Sequence, residues 1–304
     1  MKTGKTTLGS QMPKPLLLAF EKGYNALPGV MAQDIASWSE MKQVIRELKK
    51  QEVKEIFSTI VIDTVDIAAS LCDKYVCAQN GVDTINQIPY GQGWTLLKKE
   101  FEETLRVITQ QGYALYFISH EKEVPFKKQD GTEYTLIRPS IGDTYNRIVE
   151  NMTDIYGRMY TVCENGETKV KIQLRSNDST VRCGGRFKYI PTECDANYDS
   201  LVKALNSAID KEAELTGGQY VTDKKQEERE IEQLDYDALM NQFNTIINNL
   251  VNTKSEQEFQ EYWSPRIIQI TEKYLGKGKK ASQCTRDQVE MLSLIVTDLE
   301  DLVK

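Results

Sequence analysis

Met1-Lys2-Thr3-Gly4-Lys5-Thr6-Thr7 and Phe57-Ser58-Thr59-Ile60-Val61-Ile62-Asp63-Thr64 are the two stretches on which the reading of this chain turns. The first matches the second half of a phosphate-binding loop, G-x-x-x-x-G-K-[ST], with no counterpart here for the opening glycine or the strand before it. The second is a β-rich run that ends in a carboxylate. Together they point to a site for a nucleotide with Mg²⁺.

The spacing has a chemical reason. A glycine ahead of the lysine lets the backbone wrap closely enough for successive N–H groups to face phosphate oxygens. Gly4, Lys5, Thr6 and Thr7 are therefore the candidate ATP-binding residues, with Lys5 reaching the β- and γ-phosphates. The Thr6 hydroxyl and the Asp63 carboxylate are the candidate Mg²⁺ ligands, hard oxygen donors that suit a hard cation.

With 304 residues and 40% hydrophobic content, the chain can bury a full core in one large domain or two. A net charge of −7 argues against an overall basic nucleic-acid coat, yet leaves room for a local basic groove. There is no membrane-length apolar run and no signal peptide, so the expectation is a soluble protein of the cytoplasm. Six scattered cysteines without a C-x-x-C pair, far in sequence from the single histidine His120, do not give zinc-ligand spacing.

Outward from the loop, a short helix over residues 6–11 is closed by Pro13 and Pro15. Leu16–Phe20 reads as a buried strand leading to Glu21, which is placed either to polarise a hydrolytic water or to sit as a solvated charge. A helix is expected over 39–54 with Ser39 as N-cap and Met41, Val44, Ile45 and Leu48 on one face, and another over 67–77. Pro89-Tyr90-Gly91-Gln92-Gly93-Trp94 precedes a helix over 95–110; its aromatics either stack on bases or plug the core edge. Tyr113–His120 is a further strand. Strands separated by helices imply a parallel sheet covered on both faces, and ligands in such sheets bind beyond the carboxyl ends of the strands. Glu21, Asp63 and Ser119-His120 all lie at such ends. His120 alone reads as a γ-phosphate sensor or as a histidine bonded to backbone.

Gly4-Lys5-Thr6-Thr7, Pro15-Leu16-Leu17-Leu18 leading to Glu21-Lys22-Gly23, Ile60-Val61-Ile62-Asp63-Thr64, Tyr90-Gly91-Gln92-Gly93-Trp94 and Ile118-Ser119-His120-Glu121-Lys122 stand in an order that resembles the phage-encoded RecA-like P-loop ATPases associated with recombination and single-strand annealing. The resemblance covers about residues 1–210. It implies an α/β RecA-like core with a mostly parallel sheet and β-hairpin additions, and an ATPase that assembles as a homo-oligomer on single-stranded DNA. It puts Glu21 in the place of the water-activating glutamate and His120 in that of the γ-phosphate sensor. The family's first strand and first loop glycine have no counterpart, so Met1 is read as an internal start of a longer natural protein. As given, Lys5 is expected on a free end, with ATP bound more weakly than by a complete loop.

Beyond His120 the pattern turns to hairpins, 124–128 with 134–138 through Asp130-Gly131, and 156–163 with 170–175 through Asn165-Gly166, with a helix over 141–152 between them. Lys127, Lys128, Arg138 and Arg147 make this the most cationic stretch and the candidate DNA contact, or else a solvated face. In Arg182-Cys183-Gly184-Gly185-Arg186-Phe187, Arg186 is the candidate arginine finger for a neighbouring subunit, against a structural ion pair. A helix over 199–214 closes the domain, assigned to residues 1–215. A charged linker over 216–234 leads to a helical module, 235–304, carrying Leu239, Phe243, Ile246, Ile247 and Leu250 and then Val289, Leu292, Val296, Leu299 and Val303 at helical spacing, with Pro265 interrupting between. A three-helix bundle for self-assembly or for docking a phage recombination or replication protein is the expectation there. The rival to an ATPase is a non-hydrolysing DNA-binding or assembly protein with a degenerate nucleotide site.

Overall fold

The computed structural model describes residues 3–128, 130–164, 166–176, 180–217 and 234–303. They fall into two compact units, one up to residue 217 and one from residue 234. The expected linker and the Asn165 half of the second turn lie mainly outside the described residues.

The first unit is built on a four-stranded parallel sheet in the order β2-β1-β3-β4, formed by β1 (Pro15–Ala19), β2 (Ala32–Asp34), β3 (Thr59–Asp63) and β4 (Ala114–Ile118). Its pairing aligns Ala19 with Asp63 and Asp63 with Ile118, so the residues that follow leave the sheet along one rim. Alternation sorts the two faces. Leu16, Leu18, Ile60 and Ile62 join the main core with α2 (Trp38–Glu47), α4 (Val65–Gln79) and α5 (Gln92–Gln110), while Leu17, Ala19, Val61 and Ile118 form a smaller cluster on the other side. The short helix α1 (Lys5–Ser10) packs close to the sheet because Gly9 has no side chain; a Cβ there would lie 3.0 Å from Val61 Cγ1.

The expected helix over 39–54 is two helices. α2 is capped by Ser37, not Ser39: the Ser37 hydroxyl accepts from Glu40 N at 3.2 Å and the Glu40 carboxylate accepts from Ala36 N at 2.7 Å. Its far end is anchored by side chains, since Tyr113 Oη donates to Leu48 O at 2.8 Å and Gln111 Nε2 to Ile45 O at 3.3 Å, and α3 (Gln51–Ile56) starts afresh after an extended Lys50. Inside the core, Trp38 stacks on Phe101 with ring centroids 5.8 Å apart and donates its indole N–H to Glu100 at 2.8 Å.

At the start of α5, Gly93 is packed so closely that a Cβ would lie 2.4 Å from Ile85 O. Gly93→Ala is therefore expected to destabilise the unit by about 2 kcal/mol, read as a lower urea midpoint. A midpoint equal to wild type would show that this helix end gives way freely. Just before it, Tyr90 has φ +57° and is 97% exposed, so it does not plug the core edge.

Two-stranded and three-stranded antiparallel pieces follow. β5 (Glu121–Lys127) and β6 (Glu133–Pro139) form a hairpin turned by Asp130-Gly131, where Asp130 Oδ1 accepts from Thr132 N at 2.9 Å. After α6 (Asp143–Met152) come β7 (Ile155–Tyr156), β8 (Arg158–Glu164), β9 (Glu167–Gln173), β10 (Gly184–Gly185) and β11 (Glu193–Asp195), in the orders β10-β7 and β11-β9-β8. α7 (Tyr198–Thr216) closes the unit and buries Ala204 and Ala208 with Leu174 and Ile190.

In the second unit, α8 (Tyr236–Thr253) and α11 (Val289–Val303) pack together, as do α11 and α10 (Ser264–Leu275), with Leu250, Leu292, Ile295, Val296 and Leu299 buried. Pro265 does not interrupt the middle helix. α9 (Glu256–Glu258) continues through a π-helical turn, Phe259–Trp263, into α10, and Pro265 falls in the first turn of α10 beside that wide turn, where its missing N–H is tolerated. Among the described residues, no helix is long and apolar enough to cross a membrane.

Candidate functional site

Three strand ends deliver polar groups to the rim set by the sheet pairing. Glu21 follows β1, Asp63 and Thr64 end β3, and Ser119-His120 follows β4. Backbone bonds tie the first two together, with Phe20 N donating to Asp63 O at 2.7 Å and Glu21 N at 3.3 Å. Their side chains meet. The Thr64 hydroxyl donates to Glu21 Oε1 at 2.8 Å, and His120 Nε2 lies 3.0 Å from the same oxygen.

Gly4 supplies the left-handed turn, φ +76°, that leads into α1, a conformation costly for any residue with a Cβ. From α1, the Thr6 hydroxyl donates to Asp63 Oδ2 at 2.7 Å, joining residues 57 apart in sequence. Asp63 is buried, with 5% of the residue exposed. Burial pushes its pKa above the ordinary carboxylate value and the Glu21 charge adds to this; the Thr6 hydroxyl bond and the positive charges of His120 and Lys5 pull the other way. Lys5 is thus close enough to act on Asp63, and it acts on Glu121 as well.

The donor set fits Mg²⁺. With its proton given to Asp63, the Thr6 hydroxyl keeps lone pairs for a cation, and a buried carboxylate beside it is a hard ligand whose charge calls for a partner. Among the described residues no cluster of three or more His, Cys, Asp and Glu could hold a metal by itself, so the remaining ligands of such an ion would be phosphate oxygens and water.

Sequence reasoning missed a second layer. Asp66, in the first turn of α4, accepts from Ser119 Oγ at 3.0 Å, from His120 N at 3.2 Å, and from Ser140 Oγ. Ser140 N also donates to His120 O at 2.7 Å. These bonds fix the backbone that carries His120 to the return from the β5–β6 hairpin. The available signal was the acidic residue at helix position two after Asp63-Thr64.

Two sequence-based candidates lie elsewhere. Arg138 is not a surface cation: its side chain is 13% exposed and paired with Asp143. Arg186 donates to Asp154 Oδ1 at 3.0 Å and to Asn151 O at 2.9 Å within its own unit, and the structure does not bring it into the Asp63 cluster. Lys127 and Lys128 are exposed near the hairpin turn, with Phe126 and Tyr134 5.2 Å apart between ring centroids and Lys128 over the Tyr134 ring.

A family model described as an AAA domain matches residues 1–185. The chain is also similar to the SPbeta prophage-derived uncharacterized protein YorG of Bacillus subtilis (strain 168), with 32% identity over 310 residues, covering 99% of this chain and 90% of that protein.

Proposed function

We propose, on the premise that this chain belongs to the AAA-domain family of P-loop ATPases, that it binds ATP with Mg²⁺ at Gly4–Thr7, hydrolyses it, and couples hydrolysis to single-stranded DNA in phage recombination or replication through a RecA-like arrangement. The observation that carries the nucleotide reading is the 2.7 Å bond from Thr6 to the buried Asp63, one residue away from the Thr64–Glu21–His120 chain of contacts.

In this reading Lys5 balances phosphate charge and Thr6 with Asp63 holds the cation. Mg²⁺, when bound, would neutralise charge developing on the transferred phosphoryl group. Glu21 orients the attacking water and accepts its proton; Thr64 fixes the carboxylate that does so. His120 shares that carboxylate and reports the γ-phosphate by exchanging one partner for the other. DNA contact falls to the exposed Lys127, Lys128 and Phe126 with the half-buried Tyr134 beside them, cations interleaved with aromatics. Arg186 serves a neighbouring subunit in a homo-oligomer: its pair with Asp154 is exposed on both sides and worth at most about 1 kcal/mol, so it is easily exchanged.

The test is steady-state phosphate release with and without single-stranded DNA, with Lys5→Ala as the control for contaminating ATPase. Turnover that rises about tenfold with DNA and is lost in Lys5→Ala supports the reading. DNA binding without turnover would replace it with a non-hydrolysing assembly protein.

A further inference from the structure

One pole of the second unit is a cationic loop. Tyr236, at the start of α8, donates to Cys284 O at 2.7 Å, and Arg286 pairs with Asp237 at 2.8 Å, so the start of α8 meets residues 276–288 there. α10 runs into this loop and α11 out of it, so these two packed helices are antiparallel. Backbone bonds hold the loop in shape. Gly276 N donates to Glu272 O at 3.0 Å, Gly278 N to the Glu272 carboxylate at 2.7 Å, Lys279 N to Gly276 O at 3.1 Å and Gln283 N to Lys280 O at 2.9 Å.

The unit's other described cations are engaged. Lys254 pairs with Glu258, Lys273 with Asp298 and Arg286 with Asp237, while Arg266 lies 3.6 Å over the Tyr262 ring. Lys277, Lys279 and Lys280 differ: all three are exposed, and among the described residues their ammonium groups have no partner.

Apolar surface borders the loop. Lys273 Nζ and Tyr274 Oη each reach Asp298 at 2.8 Å, which sets the end of α10 level with Asp298 on α11. Met291, Leu294 and Asp298 share one stripe of α11, at spacings of three and four. α10 stops at Leu275, whereas α11 reaches back from Asp298 to Val289, about 13 Å further. Leu294 and Met291 thus lie beyond the cover of α10, 49% and 40% exposed, beside the three lysines.

We propose that this pole docks an acidic peptide segment of a partner protein, one with leucine or phenylalanine set among its carboxylates. Charge complementarity selects the carboxylates, since each lysine is a point charge on a flexible stem. The apolar anchors rest on Leu294 and Met291, and methionine adapts to varied shapes. A nucleic-acid strand fits less well. Its backbone would use the lysines but not the apolar pair, and past the loop it would meet a unit with more carboxylates than cations. The proposal does not depend on the nucleotide site.

The test is fluorescence anisotropy of the full chain with a labelled pool of peptides of about twelve residues, roughly two thirds aspartate and glutamate and the rest leucine and phenylalanine. Binding is expected to weaken about thirtyfold in the triple variant Lys277→Gln, Lys279→Gln, Lys280→Gln, and about fivefold in Leu294→Ser. Replacing the apolar residues of the peptides by serine should also cost about fivefold. Lys254→Gln, at the far end of α8, should change nothing. All these side chains are exposed or at a helix end, and an unchanged melting midpoint verifies that each variant is folded. Absence of saturable binding, equal binding by the triple variant, or serine peptides that bind as tightly as the apolar ones would each overturn the proposal. So would a single-stranded oligonucleotide that binds through the same lysines more tightly than the peptides and is indifferent to Leu294→Ser, since the loop would then be a nucleic-acid contact.

Discussion

Asp63→Asn is expected to melt no lower than wild type at neutral pH and to lose Mg²⁺-dependent ATP turnover by about a thousandfold, the equivalent of about 4 kcal/mol of charge stabilisation. The two halves of this result have one cause. Asp63 is a buried carboxylate whose charge has lost most of its water, and an amide oxygen at the same place can still accept the Thr6 hydroxyl bond. The fold is relieved of a buried charge by the exchange, whereas a cation loses its anionic ligand. The pH dependence has a definite sign. Burial raises the Asp63 pKa in the folded chain, so the native state holds that proton more tightly than the unfolded chain does. The destabilisation from an ionised Asp63 is absent below the ordinary carboxylate value. It grows as pH rises through the raised value and is complete above it. The stability difference between Asp63→Asn and wild type follows that course, and nucleotide affinity of the wild type falls as pH drops through the same window. Differential scanning with and without Mg²⁺ and nucleotide, repeated across pH, checks all three. Saturating nucleotide at about 100 Kd stabilises a binding-competent chain by about 2.7 kcal/mol; the same gain in Asp63→Asn would sink the metal assignment.

Glu21→Gln carries the second large effect. The glutamine keeps an oxygen to accept the Thr64 hydroxyl and a polar group for His120, so the contacts survive while the base does not. Turnover is expected to fall by about a hundred- to ten-thousandfold with nucleotide affinity within a few fold of wild type. Single-turnover hydrolysis and nucleotide titration separate the two quantities. A rate within threefold of wild type would remove Glu21 from the chemistry and leave it as a solvated charge at the strand end.

The sheet was largely legible because its strands are uninterrupted apolar runs: Leu16–Phe20, Ile60–Ile62 and Leu115–Ile118 call for burial on both faces, and each is followed by a polar residue, Glu21, Asp63 and Ser119. That was enough to foresee the meeting of Glu21, Asp63 and His120. β2 was not legible, since Ala32-Gln33-Asp34 has neither length nor apolar character and is a strand only because it lies beside β1. The anchoring layer was hidden for a related reason. Asp66, Ser119 and Ser140 are short polar residues whose partners lie 53 and 74 positions away, and nothing local distinguishes them from solvated ones. Arg138 misled because charge suggests exposure, while its side chain on β6 is only 13% exposed and reaches the exposed Asp143.

The bonds gathered on Asp66 make the tip of β4 and the foot of the hairpin one mechanical piece, with Ser140 N on His120 O as a second rivet. From that foot β5 runs seven residues, an arm of about 23 Å, so a tilt of about 10° at His120 sweeps the far end by about 4 Å. The hairpin is thus geared to the strand tip, and Phe126 and Tyr134 ride near the end of its throw.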